Sequence, residues 1–287
     1  MPHPIIGYTL GDQAGIGPEV IAAALPQAPA HAHYRLIGKK INCTPGQPTE
    51  DTAKAALEHL ELAAAALKTG EIDAVVTAPV CKEALHRIGF PYPGQTEFFA
   101  DRMGVRNFAM CLSGKHITTA LCTTHVALAD VAQQLKSTEI VRIAHLLADF
   151  LQRTGKRTPR IALAGLNPHN GENGAFGDEE TRIILPALQQ LQQQSGAARF
   201  FGPCVPDCVY RDAAMGHYDG IVAPYHDQAL IPLKLLDFDN AVNATIGLPR
   251  LRVSPDHGTA FPIAGKGIAN PASTLRAFCV AVNSVAS

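Results

Sequence analysis

The stretch Gly220-Ile-Val-Ala-Pro-Tyr-His-Asp-Gln228 constrains the chain most: an apolar run suited to a buried strand ends abruptly in His226 and Asp227, side chains that bind metals or move protons. Two other runs end the same way, Ile117-Thr-Thr-Ala-Leu-Cys-Thr-Thr-His125 and Arg160-Ile-Ala-Leu-Ala-Gly-Leu-Asn-Pro-His169. In a parallel α/β sheet the carboxyl ends of the strands line one edge, so histidines far apart in sequence can converge there. Three neutral imidazoles with an open fourth position are a common catalytic arrangement for zinc or a similar divalent ion. His125, His169 and His226 are therefore read as one candidate metal site.

The rest of the chain supports such a sheet. Ile5–Leu10, Tyr34–Gly38 and Ala74–Ala78 read as short strands, and Thr49 opens a long alanine-rich helix that runs to about Thr69 and is ended by Gly70. Met110–Leu112 and Ile117–Thr124 form a hairpin, and helical spacing covers 138–152, 185–194 and 273–285. The repeated strand-then-helix order predicts mostly parallel sheets covered by helices, with some antiparallel additions. Gly11-Asp-Gln-Ala-Gly-Ile-Gly-Pro-Glu19 is a glycine-rich bend into a helix. It lacks a third small residue and a following acidic residue, so it reads as a tight turn in place of a dinucleotide clamp. Asn167 to Gly177, followed by Asp178-Glu-Glu, is a long polar loop with His169 at its base, the kind of segment in which functional groups concentrate.

Composition narrows the classes. With 287 residues, 47% apolar content and a net charge of -1, the chain buries a large core and offers no basic stripe to nucleic acid or an anionic membrane. No apolar stretch is long enough to span a bilayer and the start lacks a signal peptide, so a cytoplasmic protein is expected. Seven scattered cysteines read as reduced thiols.

Gly11–Glu19, Gly94-Gln-Thr-Glu-Phe-Phe99, Thr123-Thr-His125, Gly165–His169, Tyr225-His-Asp-Gln228 and Asp256-His-Gly-Thr-Ala260 together resemble the 4-hydroxythreonine-4-phosphate dehydrogenase family, in order over nearly the whole chain. The closing segment is also similar to the isocitrate and isopropylmalate dehydrogenases. The resemblance implies two α/β/α domains with an active site in the cleft between them: a cofactor-side domain from 1–94 plus 245–287, and a metal, substrate and dimerisation domain from 95–244. It implies NAD- or NADP-dependent oxidation and decarboxylation of a small phosphorylated hydroxy acid, with one divalent metal ion (Zn, Mg or Co) held by His125, His169 and His226 in a homodimer whose active site is shared.

Carried onto this sequence, Gln95, Thr96, Lys234, Asn243 and Arg252 become the substrate-binding residues, and His257, Gly258, Thr259, Ala260 and Asn270 the cofactor-binding ones. Lys234 and Arg252 suit a phosphate and a carboxylate. Asp227 and Lys234 are the catalytic candidates, Asp227 either as a base or as the group that orients a ligand histidine. Two features depart from the family: Gln95 stands where a histidine is usual, and the chain is shortened between Ala30 and Thr44. Both fit a branch acting on phosphorylated threonate or erythronate, or on an aromatic dihydrodiol carboxylate. A metal hydrolase or lyase without nicotinamide is a further reading, which the segment from Asp256 to Asn270 opposes.

Overall fold

The computed structural model describes residues 3–285. Along the chain it runs β1 (Ile5–Tyr8), α1 (Gly17–Ala24), β2 (His33–Leu36), α2 (Glu50–Thr69), β3 (Ala74–Val76), α3 (Lys82–Arg87), α4 (Gln95–Met103), β4 (Ala109–Ser113), β5 (Thr118–Leu121), α5 (Leu128–Gln134), α6 (Ser137–Arg153), β6 (Arg160–Ala164), α7 (Leu185–Gln193), β7 (Arg199–Cys204), α8 (Pro206–Ala214), β8 (Gly220–Ala223), α9 (His226–Asp237), β9 (Val242–Ile246), β10 (Arg252–Pro255) and α10 (Ala272–Asn283). Two compact units result, Met1–Phe108 with Asp239–Ser287, and Ala109–Phe238.

In the first unit β1 runs parallel to β2 and β3, β3 parallel to β10, and β9 closes antiparallel on β10. All three residues of β3 are buried, as expected for a strand covered on both faces. Helix α2 starts where Thr49 accepts from Thr52 N and the Thr52 side chain accepts from Thr49 N, and it stops at Gly70 with φ 81, a left-handed geometry that glycine takes freely. Its buried Leu60 and Leu67 share a core with Leu85, Phe98 and Phe99, so α4 belongs to this unit. On the other side Phe278 of α10 meets the rings of Tyr8 and Tyr34 edge to face.

The second unit begins with the antiparallel hairpin of β4 and β5. From there β5 pairs parallel with β8, β8 with β6, and β6 with β7. Helix α6 buries Ile140, Ile143, Ala144, Leu147 and Leu151 at three- and four-residue spacing. It lies so close to β8 that a Cβ on Gly220 would stand 2.9 Å from a Leu151 methyl. Asp237, buried at the end of α9, accepts from both His116 N and His116 Nδ1 at 2.8 Å and so pins the hairpin turn.

The strand that delivers His226 is shorter than the apolar run. It ends at Ala223, because Pro224 has no N–H for the ladder, and His226 opens α9. Among the described residues no helix is long and apolar enough to cross a membrane, and all seven cysteines are free thiols.

Candidate active site

Strands β5, β8 and β6 are parallel neighbours in that order, so the loops leaving their carboxyl ends lie side by side. Each loop is tied to the next. Thr123 donates through Oγ1 to Pro224 O at 2.8 Å, and Gln228 Nε2 donates to Gly165 O at 2.7 Å. His125 follows β5, His226 follows β8 and His169 follows β6.

The rings of His125 and His226 have centroids 5.8 Å apart and are tilted by 41°. Two imidazoles on one tetrahedral ion, with metal–nitrogen bonds of about 2.0–2.1 Å, would have centroids about 5 Å apart, so this pair suits a shared ion with a small adjustment. His226 Nδ1 lies 2.7 Å from Asp227 Oδ1, so of the two ring nitrogens it is Nδ1 that meets the carboxylate. His169 stands on the neighbouring strand end, but among the described residues no group of three or more His, Cys, Asp or Glu side chains is placed to hold a metal ion. One chain thus assembles two imidazoles and carries the third on the adjoining loop.

That loop is unusual. His169, Asn170, Gly171, Glu172 and Asn173 are consecutive left-handed residues with φ 51, 56, 76, 43 and 57. Each of the four that carry a Cβ costs roughly 1–2 kcal/mol. Glu180, 4% exposed, stands beneath the loop and was not legible as a site residue: it reads as one more solvated acid after Asp178 and Glu179. Its one sequence signal is that Ile183 and Ile184 lie three and four positions on, which places Glu180 on the buried side of the helix that follows.

Within the first unit, four of the expected substrate residues gather around β9, β10 and the start of α4. Arg252 is 3% exposed, donates from Nε to Thr77 Oγ1 at 2.9 Å and sits 5.9 Å from the Phe99 ring centre. Burial pushes its guanidinium down to about 9, an effect that the charge of Glu97 only partly opposes. In the β9–β10 register Arg252 faces Thr245, whose hydroxyl donates to Thr96 Oγ1 at 3.3 Å. Gln95 Nε2 lies 3.5 Å from Ala78 O, at the outer limit of a hydrogen bond. Gln95 Oε1 and Asn243 Oδ1 are both buried without a hydrogen-bond partner among the described residues.

A buried cation without an ion pair among the described residues, in the unit that also holds two amide oxygens without partners, suits an anionic ligand that carries O–H or N–H donors as well. Lys234 lies in the other unit, on α9, with Nζ 5.9 Å from the Phe238 ring centre.

Of the residues expected on the cofactor side, Thr259 and Ala260 lie against the glycine-rich turn. Ile16 N donates to Thr259 O at 2.9 Å, and a Cβ on Gly15 would stand 2.6 Å from that oxygen, so only glycine lets the two segments approach. The turn therefore acts as a support for the segment 257–260. Ala260 is left-handed, with φ 44, and His257 Nε2 is buried without a partner among the described residues. Asn270 Oδ1 accepts from Ala272 N at 3.0 Å at the start of α10.

The model of the family described as pyridoxal phosphate biosynthetic protein PdxA matches residues 16–281. A 4-hydroxythreonine-4-phosphate dehydrogenase of Bradyrhizobium diazoefficiens is 43% identical, over 94% of this chain and 85% of its own length. A D-threonate 4-phosphate dehydrogenase of Pectobacterium atrosepticum is 38% identical, over 94% of this chain and 95% of its own. The solved structure of a 4-hydroxythreonine-4-phosphate dehydrogenase from Klebsiella pneumoniae matches with a TM-score of 0.85 at 34% identity, over 98% of each chain. The isocitrate dehydrogenase of Methylococcus capsulatus, 16% identical with a TM-score of 0.52 over 95% of this chain and 83% of its own, shares the fold alone. A family match over nearly the whole sequence, with relatives near 40% identity, shows that the chain belongs to the PdxA family of pyridoxal phosphate biosynthetic proteins.

Proposed function

We propose that the chain is a nicotinamide-dependent dehydrogenase that oxidises 4-phosphohydroxy-L-threonine and, with loss of carbon dioxide, yields 3-amino-2-oxopropyl phosphate for pyridoxal 5'-phosphate synthesis. The observation that carries this reading is the delivery of His125, His226 and His169 from three adjacent parallel strand ends in a member of this family. The substrate's secondary alcohol carbon gives up a hydride and its hydroxyl a proton, and the resulting 3-oxo acid then loses carbon dioxide. When bound, a divalent ion (zinc, magnesium or cobalt) supplies Lewis acidity at the substrate oxygen and NAD or NADP accepts the hydride.

The side chains divide the remaining work. Arg252 binds an acidic group of the substrate, bidentate where the fork permits, and Lys234 adds a second cation. Gln95 and Asn243 accept hydrogen bonds from the substrate's hydroxyl or amino groups, and Thr96 borders them. His257, Gly258, Thr259, Ala260 and Asn270 hold the nicotinamide cofactor. His125, His226 and His169 hold the ion, with Asp227 fixing the ring of His226. Ile231 and Leu235 of α9, the helix that His226 opens, and Phe238 at its C-terminal cap are exposed at helical spacing. This stripe supports a homodimer in which a second copy completes the ligand set.

A second reading, oxidation of 4-phospho-D-threonate, is favoured by Gln95, a neutral amide whose free acceptor suits a hydroxyl as well as an amine. Purified protein with zinc, magnesium or cobalt, assayed for NADH or NADPH formation, separates the two. Turnover of 4-phosphohydroxythreonine alone supports the first, and turnover of phosphothreonate alone supports the second. No turnover of either, nor of phosphoerythronate or an aromatic dihydrodiol acid, despite bound metal, would overturn the dehydrogenase assignment.

A further inference from the structure

We infer that Glu180 is a positioning residue for His169, holding the turn after β6 in a left-handed shape that the turn would abandon without it; the inference rests on the reading of His169 as a metal ligand. A run of left-handed residues with side chains persists only where its surroundings over-determine it. The surroundings here centre on the Glu180 carboxylate, with Glu179 Oε2 also accepting from Asn167 Nδ2 at 2.7 Å. Glu180 Oε1 accepts from Leu166 N and Asn167 N, each at 2.7 Å, and Oε2 accepts from Asn167 Nδ2 at 3.0 Å.

The turn is packed onto that carboxylate with almost no slack. A Cβ on Gly165 would stand 2.2 Å from Asn170 Oδ1 and 3.2 Å from Glu180 Oε1, and one on Gly171 would stand 2.4 Å from Gly177 O and 3.1 Å from Glu180 Oε2. The far side is held by Asn170 Nδ2, which donates to Pro203 O at 2.8 Å. His169 sits between these two anchors, two residues after Asn167 and one before Asn170. The direction in which its Cα–Cβ bond leaves the chain therefore follows the backbone twist between these anchors. A rigid ligand on a strained turn binds an ion without first being ordered, the usual benefit of preorganisation.

Glu180→Gln tests this at nearly constant volume. Every partner of the carboxylate is a donor, so an amide placed there sets N–H against N–H whichever way it turns. The full-length protein would be titrated with cobalt(II) and followed by its visible d–d absorption, which reports affinity and ligand geometry independently of turnover. Wild type, Glu180→Gln and His169→Ala are compared well below their unfolding temperatures.

The expected result is a roughly 10- to 100-fold loss of cobalt affinity in Glu180→Gln with an altered band shape, the size seen when a partner behind a ligand is removed. Wild-type affinity and spectrum in Glu180→Gln, with affinity lost in His169→Ala, would overturn the inference and leave the metal reading standing. Wild-type binding in His169→Ala would instead remove His169 from the ligand set, and the inference with it. Should Glu180→Gln fail to fold, Glu180→Asp decides: it keeps the charge but draws the carboxylate back by one methylene from the amides of Leu166 and Asn167, so an affinity and spectrum equal to wild type in that variant overturn the proposal.

Discussion

Replacing Arg252 by methionine separates the cost of burying a cation from the use the site makes of it. Burial that brings an arginine down to about 9 corresponds to roughly 4–5 kcal/mol of unfavourable burial of the charged form. The sign follows from the depressed value. Below about 9 both folded and unfolded chains carry the proton and the folded state bears the full penalty, which is relieved only as the pH climbs toward the ordinary arginine range. Methionine fills similar space without charge and gives up the bond to Thr77, which costs about 1 kcal/mol. At neutral pH, without ligand, the variant should therefore unfold at a higher temperature than wild type, by about 5 °C if 2–3 kcal/mol is recovered. A saturating phosphorylated hydroxy acid, at a hundredfold excess over its Kd, should stabilise wild type by about 2.7 kcal/mol and the variant hardly at all. Differential scanning fluorimetry with and without the ligand reads both effects. A variant that is less stable than wild type yet responds equally to the ligand would refute the assignment of Arg252 as a buried cation kept for an anion.

Other consequences are simpler. Thr49→Ala removes the side chain that caps α2 and should lower unfolding stability by about 1 kcal/mol in urea titration, with turnover per folded molecule unchanged. Gly11→Ala forces a Cβ to within 2.1 Å of Pro79 O at a residue with φ 65, and should lower the thermal midpoint by several degrees or abolish soluble expression; a wild-type midpoint would contradict that packing. Burial raises the pKa of Asp12 against the opposing bonds from the Ala14 amide and Thr52, so its ionised form is disfavoured in the fold. Asp12→Asn should therefore stabilise the protein at neutral pH, with the gain vanishing in acid, where the carboxyl is protonated both folded and unfolded; equal gains at the two pH values would show that charge is not the cause.

What could be read from the chain depended on how far apart the interacting groups lie in sequence. The strands around His125, His169 and His226 were legible because short apolar runs bounded by turn residues carry their own signal, and the ends of α2 because Thr49 and Gly70 act on adjacent backbone. Helix α9 was not, since Pro232 inside it argues against a helix locally, and burial of Leu233 and Ala229 outweighs that. Glu180 was missed for a different reason: a buried carboxylate is tolerable only where N–H groups meet it, and those of Leu166 and Asn167 come from the far end of the loop.

The same limit applies to the surroundings of Gln95. That an amide occupies the position is plain from the sequence. Its Nε2 lies 3.5 Å from Ala78 O, at the end of another strand, and its Oε1 is buried without a hydrogen-bond partner among the described residues, an arrangement of distant segments that the sequence does not display. A histidine there can change its protonation to suit an amine or a hydroxyl, whereas an amide cannot. Gln95→His should consequently introduce an ionisation near neutral pH into the kcat/KM profile that wild type lacks. It should also change the preference between 4-phosphohydroxythreonine and phosphothreonate. Superimposable profiles for the two proteins would mean that the Gln95 side chain does not reach the substrate, and that the choice between the two acids is made elsewhere.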